Sequence, residues 1–315
     1  SITGLSSYWS NGGALENKGF ELSLNTRLVN TRSFKWELGG SVGHYQNRIT
    51  ALPDGNYITE ILDGNVLTAV GHPAGVFYGY KTKGVFATTE AANQSGLYKL
   101  NANGTLTPYG AGDVWFDDPD GNGIISSKSS GNVWTAEGIK PLKDDRQIIG
   151  DPNPDYYGTI SNRFQWKRFS MDALFTYSYG NDVYNYLRSQ LESGATFYNQ
   201  TTAMENRWMT EGQVTRVPRA VYGDPMQNNI FSDRWIEDGS YIRLKTLTVS
   251  YEIPFHSIYL QGITVWASAN NLFIWSKYLG SDPEFSMNNN VLYQGIDAGL
   301  TPQGRSYFLG VKISL

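Results

Sequence analysis

The last nine residues constrain the fold of this chain more than any other stretch. The odd positions from 307 to 315 carry Tyr, Leu, Val, Ile and Leu, whereas the even positions carry Phe, Gly, Lys and Ser. Because successive side chains of a strand point to opposite faces, this pattern predicts a strand with one wholly apolar face. A soluble sheet seldom leaves so apolar an edge strand uncovered, since such an edge pairs with other chains. A closed membrane barrel has no free edge, so we expect lipid on the odd face and a lumen on the even face.

Five earlier stretches alternate in a similar way, and a sixth, 262–273, does so less cleanly. The expected strands are residues 19–29, 34–42, 156–166, 169–179, 241–253 and 262–273. Short turns at 30–33, 167–168 and 254–261 alternate with long connections at 47–155, 180–240 and 274–304. Tilted strands of about ten residues match the apolar band of an outer-membrane barrel, which has short turns on one side and long loops on the other. The sequence therefore predicts an all-β chain that forms part of a transmembrane antiparallel β-barrel.

Charged side chains in the clearest strands fall on the less apolar face. They are Glu21, Arg27, Lys35, Glu37, Arg163, Asp172, Glu252 and Lys312. This placement suits a membrane strand, because Arg or Lys at the lipid midplane costs about 2–4 kcal/mol. Arg243 and Lys245 are exceptions, since they share the parity of Leu247. We expect both to reach headgroups or water at the loop end of their strand.

Composition narrows the class of protein. Charged residues make up 17% of the chain, the net charge is −4 and no basic cluster is present, so a nucleic-acid partner is not expected. Cysteine is absent, which excludes disulfides and thiolate metal sites. No stretch approaches the roughly 20 apolar residues of a transmembrane helix, so strands remain the way to cross a membrane. The chain begins at Ser1 without a signal peptide and has an odd number of predicted strands, so we expect a fragment with further strands upstream.

Motifs for catalysis are lacking. The three histidines are far apart in sequence, at His44, His72 and His256. Neither a Gly-x-Ser-x-Gly elbow nor a His-Glu-x-x-His motif occurs. Asp117, Asp118 and Asp120 resemble paired glycosidase carboxylates, but residues crowded into one turn seldom flank a sugar from opposite faces. We therefore expect no enzyme activity.

The strongest local chemistry lies in residues 118–125, which we call the acidic loop. Side-chain oxygens at Asp118, Asp120 and Asn122, with the main-chain carbonyl of Ile124, match the first two-thirds of an EF-hand-like calcium loop. The twelfth position is Ser129 rather than an acid, so a further ligand has to come from elsewhere. The candidates for that ligand are Asp113, Asp144 and Asp145. A structural calcium and an acidic turn held by Asx hydrogen bonds both stay open, and no other cofactor is expected.

Aromatic residues in the long connections have two interpretations. They are Tyr109, Trp115, Trp134, Tyr198 and Trp208. Such rings stack on sugars or peptide side chains, or they pack long loops into an ordered cap. The sequence assigns no individual substrate-binding residue among them. Within the same connections we expect local strands in 76–87, a strand pair at 97–99 and 105–107, and short helices near 183–191 and 203–210.

Six segments, spread through the chain in order, carry a family resemblance. They are residues 17–22 (Asn-Lys-Gly-Phe-Glu-Leu), 79–86, 112–123, 149–156 (Ile-Gly-Asp-Pro-Asn-Pro-Asp-Tyr), 236–245 and 269–272 (Ala-Asn-Asn-Leu). These segments resemble the C-terminal barrel half of the SusC/RagA family of TonB-dependent outer-membrane transporters. The resemblance implies a 22-stranded barrel with an N-terminal plug, of which this chain lacks the plug and the first strands.

The resemblance also implies a function. Transporters of this family import oligosaccharides or peptides across the bacterial outer membrane together with a SusD-like surface lipoprotein. Energy would come from TonB-ExbB-ExbD through the N-terminal region that is missing here. Residues 1–315 would then lie in the barrel against outer-membrane lipid, with the long connections extracellular and the C-terminus periplasmic. The alternative is a secreted or surface glycan-binding β-protein without transport, which explains the aromatic and glycine content but not the rhythm of short and long loops.

Overall fold

The main element of the fold is one seven-stranded antiparallel sheet. The computed structural model describes residues 12–53, 55–254, 260–285, 287 and 290–314. The strands of the sheet are β1 (Ala14–Asn30), β2 (Phe34–Ala51), β3 (Tyr156–Trp166), β4 (Phe169–Tyr179), β5 (Tyr241–Ile253), β6 (Gly262–Ser276) and β7 (Ser306–Ser314). Each strand pairs with the next one along the chain, so the sheet is a meander in sequence order.

All seven predicted strands are present, and β3, β4 and β5 have the predicted bounds. β2 is longer than predicted. Its predicted end is residue 42, but its pairing with β1 continues as far as the Ala14–Ala51 pair. The first long connection therefore begins at residue 52 rather than 47. β7 pairs with β6 as predicted from the C-terminal alternation. Leu315 and residues 255–259 of the third predicted turn lie outside the described residues.

One face of this sheet is apolar and exposed. A continuous row of paired positions from β2 to β7 carries Trp36, Phe164, Met171, Val249, Ala267 and Leu309. On the outer strands the exposure is large, at 62% for Leu22, 65% for Leu24 and 85% for Leu309. An apolar surface of this extent is stable only in apolar surroundings or beneath a partner.

Where the structure describes them, the long connections contain fourteen further short strands and several helices. The strands are Tyr57–Ile61, Gly64–Thr68, Val76–Gly79, Thr82–Val85, Tyr98–Leu100, Leu106–Pro108, Val114–Phe116, Ile124–Ile125, Asn132–Thr135, Gly138–Pro141, Gln147–Gly150, Asp182–Asn185, Ile236–Asp238 and Ile296–Asp297. The α-helices are α1 (Thr89–Ser95) and α2 (Tyr186–Leu191), and the 3-10 helices are Thr202–Asn206, Asp233–Trp235 and Val291–Tyr293. None of these helices in the described ranges is long and apolar enough to cross a membrane.

The three long connections pack against one another, and we call them together the loop region. Phe77 from the first connection, Trp235 from the second and Ile296 from the third share one core, each fully buried. Within this core the Tyr184 ring meets the Phe231 ring edge-on, with 4.7 Å between centroids. Fully burying a large apolar side chain contributes about 1.5–3 kcal/mol, so the connections stabilise one another.

Local predictions within the loop region had mixed outcomes. Residues 98–100 pair with 106–108 as expected, and the expected strand stretch at 76–87 divides into two short strands. The helix predicted near 183–191 begins only at Tyr186, because Asp182–Asn185 pairs as a strand with Ile236–Asp238. The helix predicted near 203–210 is wrong beyond one 3-10 turn, since Arg207 already bridges to Val217.

Candidate functional site

The face of the sheet opposite the apolar row is polar. Its central row of paired positions is Arg27, Glu37, Arg163, Asp172, Thr248 and Ser268. Arg27 Nη2 lies 2.7 Å from Glu37 Oε1, and Arg163 Nε lies 2.5 Å from Asp172 Oδ1. The hydroxyls of Thr248 and Ser268 are 2.8 Å apart. Charges alternate in sign along the row, and these four charged residues lie on the less apolar face as predicted.

A cleft of about 670 Å³ lies over this polar row. Its lining includes Asn25, Arg27, Glu37, Arg163, Asp172 and Thr246. The volume is that of a small-ligand cleft, and the lining offers both donors and acceptors. The ion pairs in the lining are largely exposed, so they add little to stability. Their chemistry is therefore better suited to contact with solutes than to holding the sheet together.

The structure corrects the predicted position of Arg243. β5 contains a β-bulge at Lys245, because Thr246 pairs with Leu174 whereas Leu244 pairs with Phe175. The extra residue reverses the alternation, so Arg243 lies opposite Thr176 on the polar side. Arg243 does not reach headgroups or water, since it is only 2% exposed.

Acidic residues of the third connection surround this buried cation. The Arg243 guanidinium donates a hydrogen bond to Asp282. Arg243 Nε also lies 2.6 Å from Glu284 Oε2, where the two groups form an ion pair but are not aligned for a hydrogen bond. Lys245 Nζ donates to Glu284 at 3.0 Å and to Gln303 at 2.8 Å. The two cations therefore attach the third connection to β5 instead of facing lipid headgroups.

The acidic loop is folded around its own side chains. Asp118 accepts hydrogen bonds from the main-chain N–H of Gly121 at 3.0 Å and of Gly123 at 2.8 Å. Asp120 accepts from the N–H of Asn122 at 3.0 Å, and Asn122 Oδ1 accepts from the N–H of Ile124 at 2.6 Å. Both glycines have positive φ, 69° and 79°, which suits residues without a Cβ. The Asx hydrogen bonds of the simpler interpretation are thus present.

The structure distinguishes the three acids considered as a further ligand. The Asp113 carboxylate is bound by Arg219, and the Asp144 carboxylate is bound by Arg146. A carboxylate oxygen of Asp145, in contrast, lies within 4.8 Å of carboxylate oxygens of Asp118 and Asp120. Sequence reasoning could not choose among the three, because Arg219 lies more than 100 residues from Asp113.

Electrostatics in this cluster are unfavourable for the bare acids. Burial, together with the negative charges of Asp120, Asp118 and Asp144, raises the pKa of Asp145 to about 7, against the lowering by the hydrogen bond from the Ser126 N–H. Burial also raises the pKa of Asp118, with Asp120 adding to the effect against the lowering by the Gly123 N–H. The side chain of Ile124 packs with Val133 and Leu142. Ile124 can therefore offer a metal ion only its main-chain carbonyl oxygen.

The predicted loop aromatics divide into packed and exposed residues. Tyr109 is buried, and the Trp115 ring stacks on Phe86 with 5.0 Å between centroids. Trp208 donates from Nε1 to the Ala87 carbonyl at 3.1 Å. Trp134 and Tyr198 are 78% and 81% exposed. Sequence reasoning missed the neighbouring stacked pair Phe197 and Tyr222, whose rings lie 4.8 Å apart in the second connection.

Known proteins similar to this chain are TonB-dependent receptors. No protein-family model matches the chain. It is 32% identical over 329 residues to TonB-dependent receptor P3 of Formosa agariphila. This alignment covers 99% of this chain and 30% of that receptor. It is 25% identical to TonB-dependent receptor SusC of Bacteroides thetaiotaomicron, over 96% of this chain and 27% of that receptor. This chain is a homologue of the SusC-type TonB-dependent receptors.

The resemblance read from the sequence segments is thereby confirmed, and the chain spans about three tenths of the length of these relatives. The fold of this chain is also similar to solved structures. It matches the structure of the RagAB peptide transporter with a TM-score of 0.71 and 22% identity, over 99% of this chain and 31% of that chain. It matches the open-open state of the RagAB peptide importer with a TM-score of 0.71 and 21% identity, over 100% of this chain and 30% of that chain.

Proposed function

We propose that this chain is the C-terminal part of the barrel of a TonB-dependent outer-membrane transporter that imports oligosaccharides or peptides. One observation carries the proposal, namely the two faces of the β1–β7 sheet in a homologue of SusC. The row from Trp36 to Leu309 would meet lipid, and the row from Arg27 to Ser268 would meet the lumen. A lipid-facing band opposite a polar interior is the pattern of a transmembrane barrel.

The loop region would lie outside the cell. All three long connections follow even-numbered strands of the meander, so they emerge at the same end of the sheet. The shared core of Phe77, Trp235 and Ile296 supports this arrangement, since it brings the three connections together. The short turns and the C-terminus would then face the periplasm.

The proposed partners follow from the family. A SusD-like surface lipoprotein would cover the extracellular side, and TonB-ExbB-ExbD would act through an N-terminal region outside this sequence. The complete barrel would have 22 strands and a plug. The family resemblance implies oligosaccharides or peptides, and one solved structure of similar fold is that of a peptide transporter, so these are the two substrate classes to compare. We propose no catalytic role for any residue.

The test uses the full-length receptor that contains this sequence. We expect it to require detergent for extraction, to insert into liposomes and to co-purify with a lipoprotein from the native membrane. Deleting its gene should abolish uptake of one oligosaccharide or peptide pool, and a receptor without its TonB-interacting segment should fail to restore that uptake. A receptor that stays monodisperse in plain buffer and does not enter liposomes would contradict the proposal. That outcome is the one expected of a secreted glycan-binding β-protein.

A further inference from the structure

We propose that Asp145 and the acidic loop form a calcium-binding site, with Asp145 supplying the ligand that the loop sequence lacks. The donors are carboxylate oxygens of Asp118, Asp120 and Asp145, together with the Asn122 side-chain oxygen and the main-chain carbonyl of Ile124. The site is a structural one in the loop region, and it does not depend on the proposed transport.

The first observation is the distribution of cations around the cluster. The neighbouring acids have partners: Lys83 lies 2.7 Å from Asp117, Arg146 lies 2.8 Å from Asp144, and Lys140 lies 3.1 Å from Glu137. Within the described ranges no ion pair reaches Asp118, Asp120 or Asp145, although their oxygens lie within 4.8 Å of one another. Lys140 Nζ meets the acidic loop at the Asn122 main-chain carbonyl, at 3.1 Å, and not at these carboxylates. Three like charges at this separation repel strongly, so a bound cation would stabilise them.

The second observation is the hydrogen bonding of the Asp145 side chain. Asp145 is fully buried, and its Oδ1 has no hydrogen-bond partner among the described residues. A buried acceptor without a partner costs about 1–3 kcal/mol, and more when it is charged. A cation beside Asp118 and Asp120 would provide the missing partner.

The position of Asp145 is fixed by the residue that follows the acidic loop. Asp145 Oδ2 accepts from the Ser126 N–H at 2.8 Å, and the Asp145 N–H donates to the Ser126 carbonyl at 2.9 Å. These two hydrogen bonds hold the carboxylate beside the end of the loop. A complete EF-hand loop has an acid at its twelfth position, which is Ser129 here. Asp145 can serve in place of that missing acid.

The donor chemistry favours calcium. All the donors are hard oxygens, which suit Ca²⁺ or Mg²⁺ rather than softer transition metals. Calcium accepts six to eight such ligands in flexible geometry, whereas Mg²⁺ demands near-ideal octahedral geometry and usually retains several waters. Asn122 Oδ1 accepts from the Ile124 N–H, and Asn122 Nδ2 donates to Asp120 Oδ2 at 2.8 Å, so a cation would use the second lone pair of Oδ1 and replace the contact between Nδ2 and Asp120. A site of three carboxylates and two neutral oxygens therefore fits calcium better.

Binding would join two segments of the first connection. The acidic loop and Asp145 lie on either side of the hairpin formed by Asn132–Thr135 and Gly138–Pro141. Ser126, which is bonded to Asp145, also lines a cavity of about 700 Å³ together with Arg146 and Asp224. Calcium should thus order this wall of the cavity.

The experiment is a calcium titration of the full-length receptor in detergent after treatment with a chelator. Isothermal titration calorimetry with CaCl₂, and separately with MgCl₂, would compare wild type with Asp145→Asn. The matched control is Glu137→Gln, which removes one acid from the adjoining hairpin where the Glu137 side chain is 79% exposed. We expect Asp145→Asn to weaken calcium binding by about tenfold or more, since the number of charged ligands sets calcium affinity. The control should bind calcium as wild type does, and Mg²⁺ should bind wild type more weakly.

A measurement on wild type protects the test from a variant that folds poorly. Crystals of the receptor soaked in strontium, a heavier mimic of calcium, should give an anomalous peak between Asp118, Asp120 and Asp145. The absence of that peak would overturn the proposal. Equal calcium affinity and stoichiometry in wild type and folded Asp145→Asn would also overturn it, and tighter binding of Mg²⁺ than of Ca²⁺ would overturn the choice of calcium.

Discussion

Arg219 donates two hydrogen bonds, of 2.8 and 2.9 Å, to the two oxygens of the fully buried Asp113 carboxylate. Asn228 Nδ2 donates a third at 3.0 Å, and the Gly110 N–H a fourth at 2.9 Å. Asp113 belongs to the first long connection, whereas Arg219 and Asn228 belong to the second. A carboxylate without access to water depends on such donors, so this pair couples the folding of the two connections.

Replacing Arg219 should therefore loosen the loop region. In Arg219→Met the buried Asp113 charge loses its only ionic partner among the described residues. We expect the free energy of opening of the loop region to fall by about 2–4 kcal/mol. This is slightly below the value for a fully buried pair, because Arg219 keeps some contact with water. Hydrogen exchange of amides near residues 110–116 and 217–228 would measure it. Lys18→Gln, which breaks an exposed pair with Glu16, should change protection by less than about 1 kcal/mol, and equal protection in both variants would contradict the role of Arg219.

Replacing Arg243 should release the third connection from the sheet. Arg243 and Asp282 are both nearly buried, so Arg243→Leu leaves the charges of Asp282 and Glu284 without this partner. The expected cost is about 3–5 kcal/mol, concentrated in residues 277–305. Limited proteolysis of the folded receptor should cut this connection faster in the variant. Arg243→Lys keeps the charge and should restore part of the resistance, so identical cleavage of wild type and both variants would count against the account.

A charge on the apolar face should be far more costly than the same charge on the polar face. Leu22 and Ser23 are adjacent on β1 and point to opposite faces, so Leu22→Arg and Ser23→Arg form a matched pair. We expect Leu22→Arg to destabilise the receptor in a bilayer by about 2–4 kcal/mol, since its side chain would enter lipid near the middle of the strand. Ser23→Arg should cost less than about 1 kcal/mol. Urea unfolding of the receptor from liposomes would measure both, and equal costs would contradict the assignment of faces.

The strands could be predicted because alternation is a local property of the sequence. β3, β4 and β5 keep it over their whole length, and their predicted bounds agree with the structure. The end of β2 was missed because its last residues are mainly polar and contact the loop region. There Asn47 Oδ1 accepts from the Ala74 N–H at 2.7 Å, while pairing with β1 continues. The hydrophobic pattern thus marks the apolar band and not the full strand.

The position of Arg243 could not be predicted for a different reason. Alternation assumes an unbroken ladder, and the bulge at Lys245 shifts every residue before it by one position. The matching irregularity in β6 places Asn271 at a φ of 53°. Both depend on how neighbouring strands pair, which a single stretch of sequence does not contain.

The acidic loop shows the same division between local and distant information. Its spacing of Asp118, Asp120 and Asn122 is visible in the sequence, and the hydrogen bonds within it are local. The choice of Asp145 over Asp113 required the position of Arg219, which comes from another connection. Whether the loop binds calcium stays a prediction for the titration described above.

The assignment of one face to lipid and the other to the lumen is tested most directly at Leu309 and Ser268, which lie on adjacent strands and opposite faces of the sheet. The chain contains no cysteine, so single cysteines at these positions can carry a nitroxide spin label in the full-length receptor once any other cysteine is replaced. In liposomes, we expect the label at Leu309 to collide mainly with lipid-soluble oxygen and the label at Ser268 to collide mainly with a water-soluble nickel chelate. Preferential access of the nickel chelate to Leu309, or equal access of both reagents to the two positions, would contradict that assignment.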